Sequence, residues 1–181
     1  KMRKELSQEI EVPEDVEVKI DGKNVLVKGP IGELKRELEF GKLEIIQEKG
    51  KLILRDKKAT KTEKRMMNTL TAHLKNMIQG TQEKFEYKLK ICFGHFPFTV
   101  KIEGNKAIIK NFLGEKIQRE SSIPEGAEME IKKDIIIIKS LNKEIAGQTA
   151  ANLEIATKVR GRDKRIFQDG IYIVEKCGRA I

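Results

Sequence analysis

The chain repeats itself, and the repeat limits its possible folds more than any other feature. Residues 18–33, VKIDGKNVLVKGPIGE, align without gaps to residues 100–115, VKIEGNKAIIKNFLGE, at a constant offset of 82. Val18, Lys19, Ile20, Gly22, Lys28, Gly32 and Glu33 recur as Val100, Lys101, Ile102, Gly104, Lys110, Gly114 and Glu115. With small gaps, LEIIQEKGKLILR (43–55) also matches MEIKKDIIIIKS (129–140). A period near 80 residues is too long for a solenoid unit and implies two tandem copies of one domain. The 181 residues suit two small domains, expected over 1–82 and 83–181.

Each copy reads as strands followed by a helix. Alternating apolar runs flank Asp21-Gly22 and Glu103-Gly104, the pattern of a β-hairpin. Further short strands are expected over 34–40, 43–47 and 51–55, and over 115–121, 128–132 and 135–139. The apolar period then changes. Met67, Leu70, Leu74, Met77 and Ile78 recur at three and four, which makes one helix face. Thr60 and Glu63 form a capping box, and Gly80 is placed at the helix end. A second helix is expected from Asn142 to Gly161, with Ile145, Thr149, Leu153 and Ala156 inward. Its small residues predict a close approach to its sheet. Between the copies, KFEYKLKICF alternates Phe85, Tyr87, Leu89, Ile91 and Phe93 with polar residues, a half-buried strand with a basic outer face. The fold class is α+β: two duplicated domains, each an antiparallel or mixed sheet covered by one main helix.

Catalytic patterns are absent from the sequence. It has no Walker A loop, GxGxxG, GxSxG or HExxH, and no Cys/His set with metal spacing. No metal, cofactor or small-molecule substrate is therefore expected. Cys92 and Cys177 are too few and too isolated for a disulfide scaffold and read as reduced thiols on strands. No apolar run approaches the roughly 18 residues of a membrane span, and KMRKELSQEIEV lacks a signal-peptide core. Of the two histidines, His73 sits on the first helix face, and His95 lies in the turn FGHFPF. A catalytic His95 would need an orienting acid and a nucleophile, for which the sequence offers no obvious partner. Base stacking by His95 among Phe93, Phe96 and Phe98 is the other functional reading, against a turn anchored by aromatic residues.

Cations, in contrast, cluster. There are 37 Lys and Arg against 28 Asp and Glu, a net charge of +9 that favours polyanionic partners. One run, Lys49 to Arg65, is mostly lysine and includes Lys57, Lys58 and Lys61; it suits solvation or loose phosphate contact. The other is Lys158, Arg160, Arg162, Lys164 and Arg165, against the single acid Asp163. Its three arginines offer planar forks suited to phosphate. It also falls between a helix and the apolar strand Ile171-Tyr172-Ile173-Val174, so its shape should be fixed.

RDKRIFQDGIYIVEK, residues 162–176, resembles the C-terminal signature of the large-subunit ribosomal protein L-six family in its archaeal and eukaryotic branch. Arg165, Phe167, Asp169, Gly170, Tyr172 and Lys176 fill the signature's places. VKGPIGEL (27–34) and NMIQG (76–80) are similar to motifs of the family's first domain. GHFP (94–97) looks like its Gly-x-x-His-Pro turn with one residue fewer. The bacterial-type Tyr-Lys-Gly-Lys-Gly ending is missing. The resemblance implies a duplicated α+β protein of the cytoplasmic large subunit. It would bind large-subunit rRNA chiefly through its second domain, close to the sarcin–ricin loop, with neighbouring ribosomal proteins and translation factors nearby. On this reading Lys158, Arg160, Arg162, Lys164 and Arg165 contact RNA, with Lys176 and Arg179 nearby. His95, Lys57, Lys58 and Lys61 are secondary contacts, while Phe167 and Tyr172 belong to the core behind the loop. An RNA-processing enzyme and a basic protein-interaction module are the alternatives.

Overall fold

Strands of alternating branched and charged residues build both halves of the computed structural model, which describes residues 4–48 and 50–181. Lys49, the first residue of the lysine-rich run, lies outside the described residues. The chain divides into two compact units, one ending at Lys84 and one spanning Phe85–Ile181.

The first unit contains β1 (Lys4–Glu11), β2 (Glu17–Asp21), β3 (Asn24–Lys28), β4 (Glu33–Glu37), β5 (Glu44–Glu48), β6 (Lys51–Ala59) and α1 (Lys61–Gln82). They form two antiparallel three-stranded sheets, β1-β6-β5 and β2-β3-β4. Val18, Val25, Val27, Leu52 and Leu54 from the sheets meet Met67, Leu70, Leu74 and Met77 of α1 in one core. Strand β1 has no expectation in the sequence reading, because charge interrupts its apolar positions.

The second unit contains β7 (Phe85–Cys92), β8 (Thr99–Glu103), β9 (Lys106–Lys110), a 3-10 turn (Phe112–Gly114), β10 (Arg119–Ser122), β11 (Glu128–Lys132), β12 (Ile135–Ser140), α2 (Lys143–Ala156), β13 (Gly170–Lys176) and β14 (Arg179–Ala180). Its sheets are β8-β9-β10 and the five-stranded β11-β12-β7-β13-β14, again antiparallel in every pair. The offset of 82 carries β1 onto β7, β2 onto β8, β3 onto β9 and β6 onto β12. Strands β13 and β14 have no counterpart among the described residues of the first unit. They are an addition to the second copy, and the cationic run is the connection that leads into them.

The α+β duplication expected from the repeat is present, with two antiparallel sheets per unit and one main helix in each. The hairpin turns fall at Gly22 and Gly104, whose φ values of 58° and 60° lie where an L side chain is strained. The capping box is also present: Glu63 accepts from the Thr60 N–H at 2.9 Å, and Thr60 Oγ1 accepts from the Thr62 N–H at 3.3 Å.

Both helix ends differ from expectation. α1 runs past Gly80 to Gln82, because Thr81 is buried against Gly29 and the Ile31 N–H donates to the Thr81 carbonyl at 3.1 Å. α2 stops at Ala156 rather than Gly161, because partners outside the helix satisfy its end. Among its predicted inward residues, Thr149 and Leu153 are buried and Ile145 and Ala156 partly so; Ala146 and Ala150 complete the inner face. The close approach is visible at Gly147, where an added Cβ would lie 3.3 Å from the Tyr87 Oη.

Two strand readings are corrected. Residues 115–118 are not strand, because Asn111, Leu113 and Gly114 all take positive φ and the 3-10 turn uses up the connection. Cys177 is an exposed turn residue with φ of 50°, not a strand residue. The outer face of β7 is basic, and its central place in the sheet brings acids alongside part of it. Lys88 pairs with Glu175 at 3.0 Å and with Glu86 at 3.4 Å, and Lys139 pairs with Glu86 at 3.2 Å.

Candidate nucleic-acid interface

The segment from Lys158 to Asp169 leaves α2 and enters β13 with its ends fixed by named bonds. At the start, Arg119 donates to the carbonyls of Ala156 (2.9 Å) and Lys158 (3.2 Å). Its remaining nitrogens grip Glu115 in a two-pronged ion pair at 2.6 and 2.8 Å. The guanidinium also lies 4.4 Å from the Phe112 ring centre. One arginine thus closes the C-terminal end of α2 and holds the first residue of the loop. The Ile171 N–H donates to Thr157 Oγ1 at 2.8 Å, tying helix end to strand start. Within the loop, the Ile166 and Phe167 N–H groups donate to the Asp163 carbonyl at 3.2 and 2.9 Å.

The far end is held by Asp169, which is only 1% exposed. Its Oδ1 accepts from the N–H groups of Gly94 (2.7 Å) and His95 (3.0 Å), and its Oδ2 lies 2.6 Å from His95 Nδ1. Burial pushes this carboxyl up, but the two N–H groups and the His95 ring outweigh it and hold it below its ordinary value. The His95 ring stacks on Phe167 with centres 4.4 Å apart, and the Arg162 guanidinium lies 4.8 Å from the same Phe167 ring. His95 therefore has the orienting acid that the sequence did not reveal, 74 residues away. Among the described residues no hydroxyl or thiol bonds to the ring, so a nucleophile is not assembled around it. Of its neighbouring aromatics, Phe98 is buried while Phe93 and Phe96 are exposed.

Lys158, Arg160, Arg162 and Lys164 are exposed and show no ion pair among the described residues. Arg162 is close enough to Glu115 to help hold that carboxyl down, after the stronger bond from Arg119. Arg165 differs. It pairs with Asp163 at 2.8 Å, and its own N–H also donates to that carboxylate at 2.9 Å. Lys176 and Arg179 are opposite each other in the β13–β14 hairpin. They sit at the far end of β13, ~20 Å from Gly170 at the usual strand rise, so they are not part of the loop cluster. Lys57 and Lys58 end β6, and Lys61 opens α1, all exposed in the first unit.

Of the two residues expected in the core behind the loop, one is there. Phe167 is partly buried, as its core role requires, but Tyr172 is 40% exposed and Val174 points outward beside it. Alternation along β13 sends Ile171 and Ile173 inward and Tyr172 outward. Arg119 was missed, although its spacing of four from Glu115 was a usable signal. A cavity of about 330 Å³ opens between the end of α2, the loop and the start of β13, with Ile155, Lys158, Lys164, Phe167 and Tyr172 in its walls.

The second unit thus belongs to a class of α+β duplication in which an added strand pair carries a fixed cationic loop. Sequence comparison agrees with that duplication. The family model for ribosomal protein L6 matches twice, over residues 12–84 and 96–170. The large ribosomal subunit protein uL6 of Methanococcus vannielii is 47% identical over 176 residues, covering 97% of this chain and 97% of that protein. The uL6 protein of Methanothrix thermoacetophila is 46% identical over 175 residues, covering 97% and 99%. The chain belongs to the ribosomal protein L6 family.

Proposed function

We propose that the chain is a non-catalytic constituent of the cytoplasmic large ribosomal subunit that binds large-subunit rRNA through the loop Lys158–Arg165. One observation carries this reading: four exposed cations that form no ion pair among the described residues stand on a loop fixed at both ends by Arg119 and Asp169. The relatives' designation as large-subunit proteins supports the setting. A cation already paired with a carboxylate gains little by meeting phosphate. Lys158, Arg160, Arg162 and Lys164 keep their charge available, while Arg165 must first leave Asp163. Because the loop is ordered beforehand, its side chains are placed with less entropy to lose on binding.

Such contacts position the protein on a backbone rather than read sequence, so specificity comes from RNA shape. The mechanism is neutralisation of phosphate repulsion, which holds RNA helices in one arrangement. That contact lies near the sarcin–ricin loop and the translation-factor site, with other ribosomal proteins alongside, a reading that family resemblance supports. His95 acts here as a latch for the loop. Lys57, Lys58 and Lys61 are a weaker, separate contact, as are Lys176 and Arg179. A chemical footprint of the full chain on large-subunit rRNA tests the reading. Protection near the sarcin–ricin loop that disappears when Arg160, Arg162 and Lys164 are replaced by Ala supports it; protection unaffected by those changes contradicts it.

A further inference from the structure

The cavity beside the loop has features that phosphate contact alone does not use. Its walls combine the exposed ring of Tyr172, the partly buried ring of Phe167, the aliphatic Ile155 and the cations Lys158 and Lys164. Ile155 is 57% exposed, so its side chain is open to contact by a ligand in the cavity. The Tyr172 ring packs against Gly170, where an added Cβ would meet it at 3.2 Å, and its hydroxyl donates to the Gln168 carbonyl at 3.1 Å. The aromatic wall is therefore held in place rather than free to turn. The volume of about 330 Å³ lies at the small end of ligand pockets, about 300–1,000 Å³.

We propose that this cavity receives one unstacked nucleotide of the bound RNA, its base against Tyr172 and Ile155 and its phosphate toward Lys158 and Lys164. The inference rests on the RNA-binding reading above and adds a base-binding site to it. Single-stranded or bulged bases are the parts of RNA that proteins can hold by stacking, because paired bases are hidden in the A-form helix. An apolar slot with an aromatic wall and two lysines has the composition for such a base and its phosphate. Glu154, the one acid in the walls, repels phosphate and so directs it toward the lysines.

The chain has two tyrosines and no tryptophan, and Tyr87 is 7% exposed. In the full chain carrying Tyr87→Phe, tyrosine emission comes from Tyr172 alone. At low salt, hexacytidylate should quench that emission, and an abasic hexamer with the same phosphates should not. Tyr172→Ala should weaken hexacytidylate binding about tenfold, within the range for one lost base–aromatic stack, while Tyr172→Phe keeps it. Ile155→Ala, on the exposed side of α2, should weaken it several-fold. Both alanine variants should bind the abasic hexamer as the wild type does, which shows that the loop still folds. Equal affinity for the two hexamers with no quenching overturns the base site while the cationic loop stands, and is also the result if a protein side chain fills the cavity. Failure to bind either hexamer defeats the base site together with the RNA-binding reading.

Discussion

Asp169 joins three groups that lie far apart in sequence: the Gly94 N–H, the His95 N–H and the His95 ring. Removing it leaves two partly buried donors without an acceptor, at about 1–3 kcal/mol for each such loss. Asp169→Ala should therefore lower unfolding free energy by about 3 kcal/mol, measured by denaturant titration, and Asp169→Asn by less. The pH dependence has a definite sign. The folded carboxyl titrates below its ordinary value, so its contribution is present above the unfolded carboxylate range and is lost as pH falls through the folded pKa. The stability gap between wild type and Asp169→Asn should narrow as pH drops below about 5; a gap that widens there contradicts the account. None of these contacts was legible in the sequence, where Asp169 is only one place in the C-terminal signature. A contact across 74 residues leaves no local trace.

At the scale of elements, the two copies solve one problem in different ways. Each must close the C-terminal end of a helix. In the first unit, the Gly29-Pro30-Ile31 turn does so, with the Ile31 N–H on the Thr81 carbonyl. Gly29 has to be glycine because a Cβ there would lie 2.7 Å from the Thr81 side chain, which is fully buried. Gly29→Ala should destabilise the first unit by about 1–3 kcal/mol, the usual cost of overpacking, read by thermal or denaturant unfolding. In the second unit Asn111 occupies the equivalent place and Arg119 closes the helix instead. Arg119→Lys keeps the charge but loses the fork that grips Glu115 and two carbonyls at once. It should speed amide exchange at the end of α2 and weaken RNA binding several-fold with no change in salt dependence, since the contacting cations remain. Helix starts were legible because capping boxes and Asn caps are local. Helix ends were not, because tertiary partners from distant strands set them.

For the whole molecule, the duplication, the α+β class and the hairpin turns were all readable, since a repeat conveys the same pattern twice. What the repeat could not convey is the asymmetry. The strand after α1 enters the second unit's central sheet, while the strand after α2 is an addition that creates the loop. Basic runs occur in both units, so charge alone does not choose between them. Rigidity and exposed charge do: the loop is tied at both ends, and four of its cations form no ion pair among the described residues. The most direct test compares the salt dependence of rRNA binding by the full chain and two variants. One replaces Lys158, Arg160, Arg162 and Lys164 with Ala; the other replaces Lys57, Lys58 and Lys61. If the loop is the main contact, the first variant should lower the log–log salt slope by about three, from somewhat under one per phosphate contact, and the second by less than one. An unchanged slope in the first variant, or a larger drop in the second, would contradict the assignment of RNA binding to the second unit's loop.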